Sequence, residues 1–248
     1  MHFIDSHCHL DAFKNYEEII SKALEAGVKT MITCGCSKGD NTPTLRIAER
    51  YPDNVFAVIG IAPQEAMDSD SFDSTISFLK NNRKRIVGVG EIGLDFHWAK
   101  TPEKAGKQRN SFELLLNFAI SEKLPVVIHS REAEEEVIDI LLRSGVERVL
   151  LHCFSGSLSL AEKAAEHGFF ISIPPTPSRT RERIIKHIPL ENLLLESDAP
   201  YLAGEPSGVI SSAELIAGIK EVNIEEVAEI TARNCINLFN LRGLYGCD

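Results

Sequence analysis

The sequence predicts an α/β fold, a single (β/α)8 TIM barrel with extra helices at its C-terminal end. Eight short apolar runs typical of strands alternate with stretches of helical periodicity. Some runs, such as VLL at 149–151 and LLL at 193–195, are apolar throughout, as expected of parallel strands buried on both faces. The length of 248 residues suits one barrel, and no linker rich in Pro, Gly or Ser divides the chain. We therefore expect one domain over residues 1–248.

The strand-like runs are short and mostly apolar. In chain order they cover residues 2–5, 29–34, 55–60, 85–93, 124–129, 148–152, 169–173 and 192–197. The fourth run carries Glu91 near its downstream end. Alternation with helices and the chain length together favour a barrel over an open doubly wound sheet.

The predicted helices follow from apolar periodicity and from residues that begin or end helices. They cover residues 16–26, 42–51, 71–82, a stretch beginning at 102, and then 131–145, 159–168, 181–188, 211–221 and 224–239. Asn15 is the expected cap of the first helix, and Gly27 ends it. The fourth helix is the clearest, because Thr101 followed by Pro102 is a typical helix start. Gly145 ends the fifth.

The composition indicates an ordinary folded protein. Hydrophobic residues make up 44% of the chain and charged residues 25%. No apolar stretch is long enough to cross a bilayer, and no secretory signal precedes the first strand, so we expect no membrane association. The formal charge of -10 disfavours a broad basic surface for nucleic acid. This charge does not exclude binding of a phosphate ester at a metal site, because bound cations supply local positive charge.

Six cysteines are too few for a disulfide framework in a chain of this length. We expect reduced thiols and a cytoplasmic protein. Cys34 and Cys36 have the wrong spacing for a zinc knuckle, and their place at the end of a strand-like run predicts a core-filling role.

Six side chains that can ligate metal lie at or near the ends of strand-like runs. They are His7, His9, Glu91, His129, His152 and Asp198. A parallel barrel brings the downstream ends of its strands to one rim, so these side chains are expected to meet there. Imidazoles and carboxylates that converge in a cavity are typical ligands of a divalent metal.

Each candidate ligand also has an ordinary structural explanation. One histidine of the His7-x-His9 pair could cap a turn, Glu91 could form a salt bridge, and Asp198 could cap a helix. A single histidine at a strand end is often a hydrogen-bonded core residue. The joint pattern favours metal binding over these explanations. The ligand types suit Zn, Mn, Fe or Ni, and Mg is less natural beside four histidines.

The motifs that carry these residues resemble those of the TatD family of metal-dependent hydrolases and deoxyribonucleases. The similar segments are DSHCHLD, VGVGEIGLDF, LPVVIHSREA, LLHCFSGS and LLLESDAPYL, and EEVAEITARNCINLFNL is similar to the family's closing helix. They occur in the family's order and extend from about residue 3 to residue 240.

The resemblance implies a TIM-barrel enzyme that binds one or two divalent ions. Two sets of ligands that share Glu91 are implied: His7, His9, Glu91 and Asp198 for the first ion, and Glu91, His129 and His152 for the second. Asp198 would also act as the general base toward metal-activated water, so Asp198 and the bridging Glu91 are the candidate catalytic residues. The implied activity is hydrolysis of DNA, including 3′→5′ exonuclease action on single strands.

The sequence departs from the family pattern around the substrate. Where the family has Gly-x-His-Pro-His, this chain has Ala62 and Gln64 in place of the two histidines. The loop at 204–209 lacks the arginine of the family's corresponding loop, which would remove a bidentate phosphate donor. Pro174 and Pro175 replace a more glycine-like segment.

Other residues near the motifs have expected supporting roles. Arg131 could contact a substrate phosphate or pair with a neighbouring glutamate. Trp98 could stack on a base or simply pack. Three carboxylates are expected to orient the ligating histidines: Asp5, Asp11 and Asp95.

Two rival functions remain open at this point. The altered substrate positions allow hydrolysis of a different ester or amide on the same metal core. A non-catalytic protein that binds metal or nucleic acid is also compatible with the fold, although a complete ligand set argues against it.

Overall fold

Eight parallel strands form a single sheet in sequence order in the structure, a computed structural model that describes residues 1–67 and 72–241. The strands are β1 (Phe3–Cys8), β2 (Val28–Gly35), β3 (Val55–Ile59), β4 (Gly88–Asp95), β5 (Val126–Arg131), β6 (Val149–Leu151), β7 (Phe170–Ile173) and β8 (Leu193–Leu195). Every neighbouring pair from β1–β2 to β7–β8 is parallel. The predicted β/α order is therefore confirmed.

Hydrogen bonds at the rim bring the end of β8 back to β1. The amide of Asp198 donates to the carbonyl of His7 at 3.0 Å, and the amide of His9 donates to the carbonyl of Ala199 at 2.8 Å. Ser6 Oγ donates to the carbonyl of Leu195 at 2.7 Å. These bonds complete a nearly closed barrel, and the predicted TIM-barrel fold is confirmed.

Ten α-helices are present in the described part of the chain. They are α1 (Tyr16–Glu25), α2 (Lys38–Arg50), α3 (Pro63–Ala66), α4 (Asp73–Asn81), α5 (Pro102–Ser121), α6 (Glu134–Ser144), α7 (Leu158–Glu166), α8 (Arg179–His187), α9 (Val209–Lys220) and α10 (Ile224–Phe239). The helices α9 and α10 are the predicted C-terminal additions. Three parts of the sequence predictions lie outside the described residues: Ser71 at the predicted start of α4, Cys247, and residues 68–71 and 242–248 of the expected domain.

Several predicted boundaries were wrong. The predicted start of α2 at residue 42 is too late, because Ser37 caps the helix by accepting hydrogen bonds from the amides of Gly39 and Asp40. Asn15 precedes α1, but its side chain donates to Glu18 Oε2 at 3.0 Å instead of accepting a bond from a helix amide. The first strand extends beyond residue 5, so His7 lies inside β1.

An apolar cluster fills the barrel interior and marks which residues of each strand face inward. Its strand members come from six strands: Ile4, Ile32, Cys34, Val58, Val127, Leu150 and Leu194. Helix α10 packs against this cluster through Cys235, Leu238 and Phe239. A second, larger cluster of buried side chains includes outward-facing strand residues and the inner faces of helices. Helix α10 packs against one side of the interior. The candidate site lies at the carboxyl ends of the strands.

Among the described residues, no helix is both long enough and apolar enough to cross a membrane.

Candidate metal centre

The positions of three candidate ligands, on β5 and beyond the ends of β6 and β8, follow from the alternation of side chains along the barrel. Residues two apart in a strand point to the same face. His129 lies two residues beyond the interior residue Val127, and His152 lies two beyond the interior residue Leu150. Asp198 lies four residues beyond Leu194. These side chains therefore continue the inward-facing rows upward to the mouth.

His7, His9 and Asp198 form one side of the cluster. The Nε2 atoms of the two histidines are 3.1 Å apart. Asp198 Oδ1 lies 3.3 Å from His9 Nε2 and 3.7 Å from His7 Nε2. All three residues are at most 9% exposed. These three groups offer ligand atoms within 4.8 Å of one another.

Glu91 stands between the two sides of the cluster. Its Oε2 atom lies 3.7 Å from His7 Nε2 and 3.8 Å from His9 Nε2. Its Oε1 atom lies 2.7 Å from His129 Nδ1 and 3.2 Å from His152 Nε2. Each carboxylate oxygen therefore faces a different pair of histidines.

His129 and His152 form the other side of the cluster. His152 Nε2 lies 3.4 Å from His129 Nδ1, and the His152 ring stacks on the ring of His7 with centroids 4.1 Å apart. All six predicted ligands thus lie in one connected cluster. A salt bridge was the ordinary structural explanation for Glu91. Within the described residues, the ion-pair partners of Glu91 are all histidines.

Burial and neighbouring charges shift the pKa values of the cluster in opposite directions. Burial raises the pKa of Glu91, but the nearby His152 and His129 outweigh it and hold that pKa well below its ordinary value. Burial and the neighbouring His152 and His9 hold the pKa of His7 well below its ordinary value. The arrangement therefore keeps Glu91 ionised and His7 neutral, which are the forms that bind metal. At His152 the opposite occurs, because burial lowers its pKa but Glu91 and Glu196 outweigh burial and hold that pKa well above its ordinary value.

Two histidines lie between an acceptor on one ring nitrogen and a carboxylate on the other. His9 Nδ1 lies 2.9 Å from the carbonyl of Cys34, and its Nε2 lies 3.3 Å from Asp198 Oδ1. His129 Nε2 lies 2.9 Å from Asp95 Oδ2, and its Nδ1 lies 2.7 Å from Glu91 Oε1. Burial lowers the pKa of His129, but the hydrogen bonds to Asp95 and Glu91 outweigh it and raise that pKa. A divalent ion can replace a proton held between an imidazole and a carboxylate in this way. The donor set therefore fits a metal.

Asp95 is the one of the three expected orienting carboxylates that contacts a ligating imidazole. Asp95 also accepts a hydrogen bond from Gln64 Nε2 at 2.7 Å. Gln64 is the residue that replaces the second histidine of the family pattern. Asp5 instead accepts bonds from the amide and hydroxyl of Ser197, and Asp11 accepts one from Thr44 Oγ1. Neither Asp5 nor Asp11 bonds an imidazole, although Asp5 accepts a hydrogen bond from the backbone amide of His7 at 3.2 Å.

Two residues at the site were missed by the sequence predictions. Cys36 Sγ lies 3.4 Å from Glu91 Oε2, so the prediction of a core-filling role for this residue was wrong. Glu196 is fully buried, accepts a bond from Ser172 Oγ at 2.7 Å, and lies 3.7 Å from His152 Nδ1. Both residues could have been found from alternation, because they continue the inward rows that contain Cys34 and Leu194.

The rim around the cluster is exposed and carries the other predicted contacts. Arg131 ends β5 with an exposed side chain, while its neighbour Glu132 pairs with His97 at 2.8 Å and Lys100 at 3.2 Å. Trp98 is 54% exposed. The substrate roles of Arg131 and Trp98 stay predictions.

Tyr201 also lies on this rim. It is 69% exposed, and its ring meets His9 edge-on at 5.1 Å.

Comparisons with known proteins agree with this geometry. The family model described as TatD related DNase matches residues 4–240. A deoxyribonuclease of Homo sapiens, TATDN3, is 32% identical over 95% of this chain and 94% of its own length. An uncharacterized metal-dependent hydrolase of Bacillus subtilis, YabD, is 34% identical over 96% and 98%. The crystal structure of YJJV, a TatD homolog of Escherichia coli, has a TM-score of 0.86 and 28% identity, and covers 96% of this chain and 98% of that one.

Proposed function

The chain belongs to the family of TatD-related DNases, and we propose that it is a metal-dependent hydrolase that cleaves phosphodiester bonds in DNA. One observation carries the proposal: the two oxygens of Glu91 face two separate pairs of histidines, His7 with His9 and His129 with His152. This is the arrangement that a carboxylate shared by two cations requires. The resemblance to metal-dependent hydrolases supports the same assignment.

We assign one or two divalent ions to the cluster. His7, His9, Asp198 and Glu91 Oε2 would hold one ion, and Glu91 Oε1, His129 and His152 would hold the other. Imidazole and carboxylate ligands suit Zn, Mn, Fe or Ni, and Mg is less suited to so many imidazoles. When bound, such ions lower the pKa of a coordinated water and polarise a phosphoryl oxygen.

Asp198 is the proposed general base. Its Oδ1 atom lies at the mouth, its amide donates to the carbonyl of His7, and its own carbonyl accepts the amide of Tyr201 at 2.7 Å. These backbone bonds hold the carboxylate beside His9 without occupying its oxygens. It can therefore take the proton that leaves the attacking water. Glu91 is the second catalytic residue, because its two oxygens fix the spacing of the two ligand sets.

A DNA substrate agrees with the relatives and with the rim. The human relative is named a deoxyribonuclease. The exposed Arg131 suits a backbone phosphate, and the exposed Trp98 suits a base stacked at the mouth. We propose 3′→5′ exonuclease action on single strands as the preferred mode. We also propose one domain over residues 1–248 and a cytoplasmic location.

The test is a nuclease assay on protein stripped with a chelator and reloaded with single metals. Single-stranded oligonucleotides labelled at the 5′ or the 3′ end report both cleavage and polarity. We expect Zn, Mn, Fe or Ni to restore cleavage. Glu91→Gln should lose at least about 100-fold of the activity, since even partners outside the ligand set cost 10–100-fold. Glu135→Gln, on the exposed face of α6, is the matched control and should keep full activity.

A different ester or amide is the second candidate substrate. The amide of Gln64 is engaged by Asp95, and Ala62 is buried and apolar, so neither position offers the imidazole that the family pattern places near the substrate. If the metal-loaded protein leaves DNA intact but hydrolyses members of a small ester and amide panel, and Glu91→Gln removes that activity, the second candidate is correct.

A further inference from the structure

Cys36 lies where the inward-facing row of β2 reaches the barrel mouth. The row runs from Ile32 through Cys34, both in the interior cluster, to Cys36 just beyond the strand. Cys34 is fully buried, whereas Cys36 is half-buried at the mouth. The side chain of Cys36 is therefore placed with the candidate ligands.

The Cys36 thiol is positioned against two of the proposed ligands. Its Sγ atom lies 3.4 Å from Glu91 Oε2 and 3.6 Å from His9 Nδ1. His9 Nδ1 already donates its proton to the carbonyl of Cys34, so the thiol has Glu91 Oε2 as its acceptor. Cys36, His9 and Glu91 offer ligand atoms that all lie within 4.8 Å of one another. A thiol proton between sulfur and a carboxylate occupies a position that a metal cation can take.

We propose that Cys36 is an additional ligand of the ion assigned to His7, His9, Asp198 and Glu91 Oε2, an inference that rests on the proposed metal site. On binding, the sulfur–metal bond forms, the sulfur–hydrogen bond breaks, and the proton leaves to solvent. A thiolate is a soft ligand that favours Zn or Fe(II) and disfavours Mg and Mn. Cys36 therefore makes this half of the site selective for the softer ions.

Cobalt(II) substitution tests the assignment directly. Cobalt bound in the site gives visible ligand-field bands whatever its ligands are, and a cobalt–thiolate bond adds a charge-transfer band in the near ultraviolet. We expect both in the wild-type protein. Cys36→Ser should lose the charge-transfer band and keep the visible bands. Cys153→Ser, which replaces the other half-buried thiol, is the matched control and should keep both.

The outcomes separate the two proposals. Visible bands without a charge-transfer band that depends on Cys36 would overturn the thiolate ligand and leave the metal site standing. Absence of both sets of bands would mean that the metal site itself is wrong. Competition between Zn and Mn gives a second measure: Cys36→Ser should lower the preference for Zn by at least about 10-fold, the lower end of the cost of losing even an outer partner. An unchanged preference would contradict the proposal.

A measurement on the wild-type chain avoids any effect of substitution on folding. Prolonged treatment with iodoacetamide at alkaline pH, which supplies the reactive thiolate, should alkylate Cys36 in the metal-free protein, and Zn should protect it, as located by peptide mass spectrometry. Cys153 provides the internal comparison and should react at the same rate with and without Zn. Equal alkylation of Cys36 in both states would overturn the proposal.

Discussion

Asp198 adopts a backbone conformation that few residue types tolerate. Its φ of 47° lies in the left-handed region, where Asp and Asn are among the most frequent residues other than glycine. Asn is therefore the substitution that preserves both the shape and the backbone preference while removing the charge. This makes the proposed general base testable without a change of local fold.

We expect Asp198→Asn to reduce turnover by about 10²–10⁴-fold, the usual contribution of a positioned general base. Thermal stability of the metal-free protein should change little. Single-turnover cleavage with saturating metal measures the effect, and metal content is determined on the same samples. Asp53→Asn, at an exposed site, is the control. Unchanged turnover in Asp198→Asn with full metal loading would remove the assigned role.

Asp5 is a buried carboxyl that accepts hydrogen bonds from the backbone amides of His7 and Ser197. Burial raises its pKa from 3.8 to about 8, more than the bonds from Ser197 and from the amide of His7 lower it. Between pH 4 and pH 8 the folded protein therefore holds a proton that the unfolded chain has lost. Because the native state then binds more protons, this group makes the stability fall as pH rises through that range.

Asp5→Asn should remove this pH dependence. Asn mimics the protonated acid, with one oxygen for the two amides and an NH₂ toward Ser197 Oγ, which then accepts a hydrogen bond instead of donating one. The difference in unfolding free energy between the variant and the wild type should grow with pH from 5 to 7, by up to about 1.4 kcal/mol per pH unit. Urea denaturation of the metal-free proteins measures it, with Asp53→Asn as the control. A difference that stays constant with pH would contradict the prediction.

At the scale of elements, strand alternation explains which site residues were predictable. His129 and His152 stand out because they end apolar runs, and the parallel order of strands brings them together. Cys36 was missed because a cysteine fits a core as well as a site, and only its place two residues beyond the inward-facing Cys34 distinguishes the two. Glu196 was missed because Asp198, two residues further along, accounted for the acidic character of the motif.

Helix boundaries were harder to predict than strand positions. The predicted start of α2 at residue 42 directly precedes Pro43, yet this proline lies inside α2. The Ser37 cap determines the true start, and a serine in a polar loop is a weak signal by itself. The short helix α3 has only four residues, too few for periodicity to indicate it. Local capping geometry is what the sequence pattern left undetermined.

Gly93 allows β4 to lie close against β5. It pairs with His129, and its φ of 141° is a conformation that side chains rarely adopt. A Cβ atom at this position would clash with the backbone carbonyl oxygen of His129. Since Glu91 and His129 depend on the same pair of strands, this glycine keeps the two ligands in register.

Gly93→Ala should destabilise the protein by about 2–4 kcal/mol, through an unfavourable φ and displacement of β4 from β5. Metal affinity should fall with it. Gly106→Ala is the matched control, because Gly106 lies in α5 with open space around the added methyl group. The control should gain about 0.5–1 kcal/mol from the better helix propensity of alanine. Urea unfolding of both variants provides the comparison, and equal stabilities would refute the packing argument.

At the scale of the whole molecule, the overall charge of -10 means that binding of the proposed DNA substrate depends on the metal site. DNA binding by a broad basic surface is disfavoured for such a chain. Attraction for a phosphate must then come from cations in the cluster and from individual residues such as Arg131. The metal therefore has two consequences in this protein, one for the chemistry and one for substrate binding.

The proposed ligands come from widely separated parts of the chain and of the barrel wall: β1 and the residue after it, β4, β5, and the segments after β6 and β8. An ion held by all of them exists only in the folded state, so its binding free energy adds to the stability of the whole barrel. A metal concentration 100 times the Kd contributes about 2.7 kcal/mol, which for a chain of this size raises Tm by about 5–10 °C.

Calorimetry of chelator-treated protein with added Zn or Mn should therefore show a Tm that rises with metal concentration. His129→Ala should lose part of the increase, because it removes a ligand from only one side of Glu91. His187→Ala is the matched control, because His187 is an exposed residue near the end of α8 that bonds the carbonyl of Arg183, and it should respond like the wild type. A wild-type Tm that is independent of both metals would mean that the six converging side chains do not form a metal site.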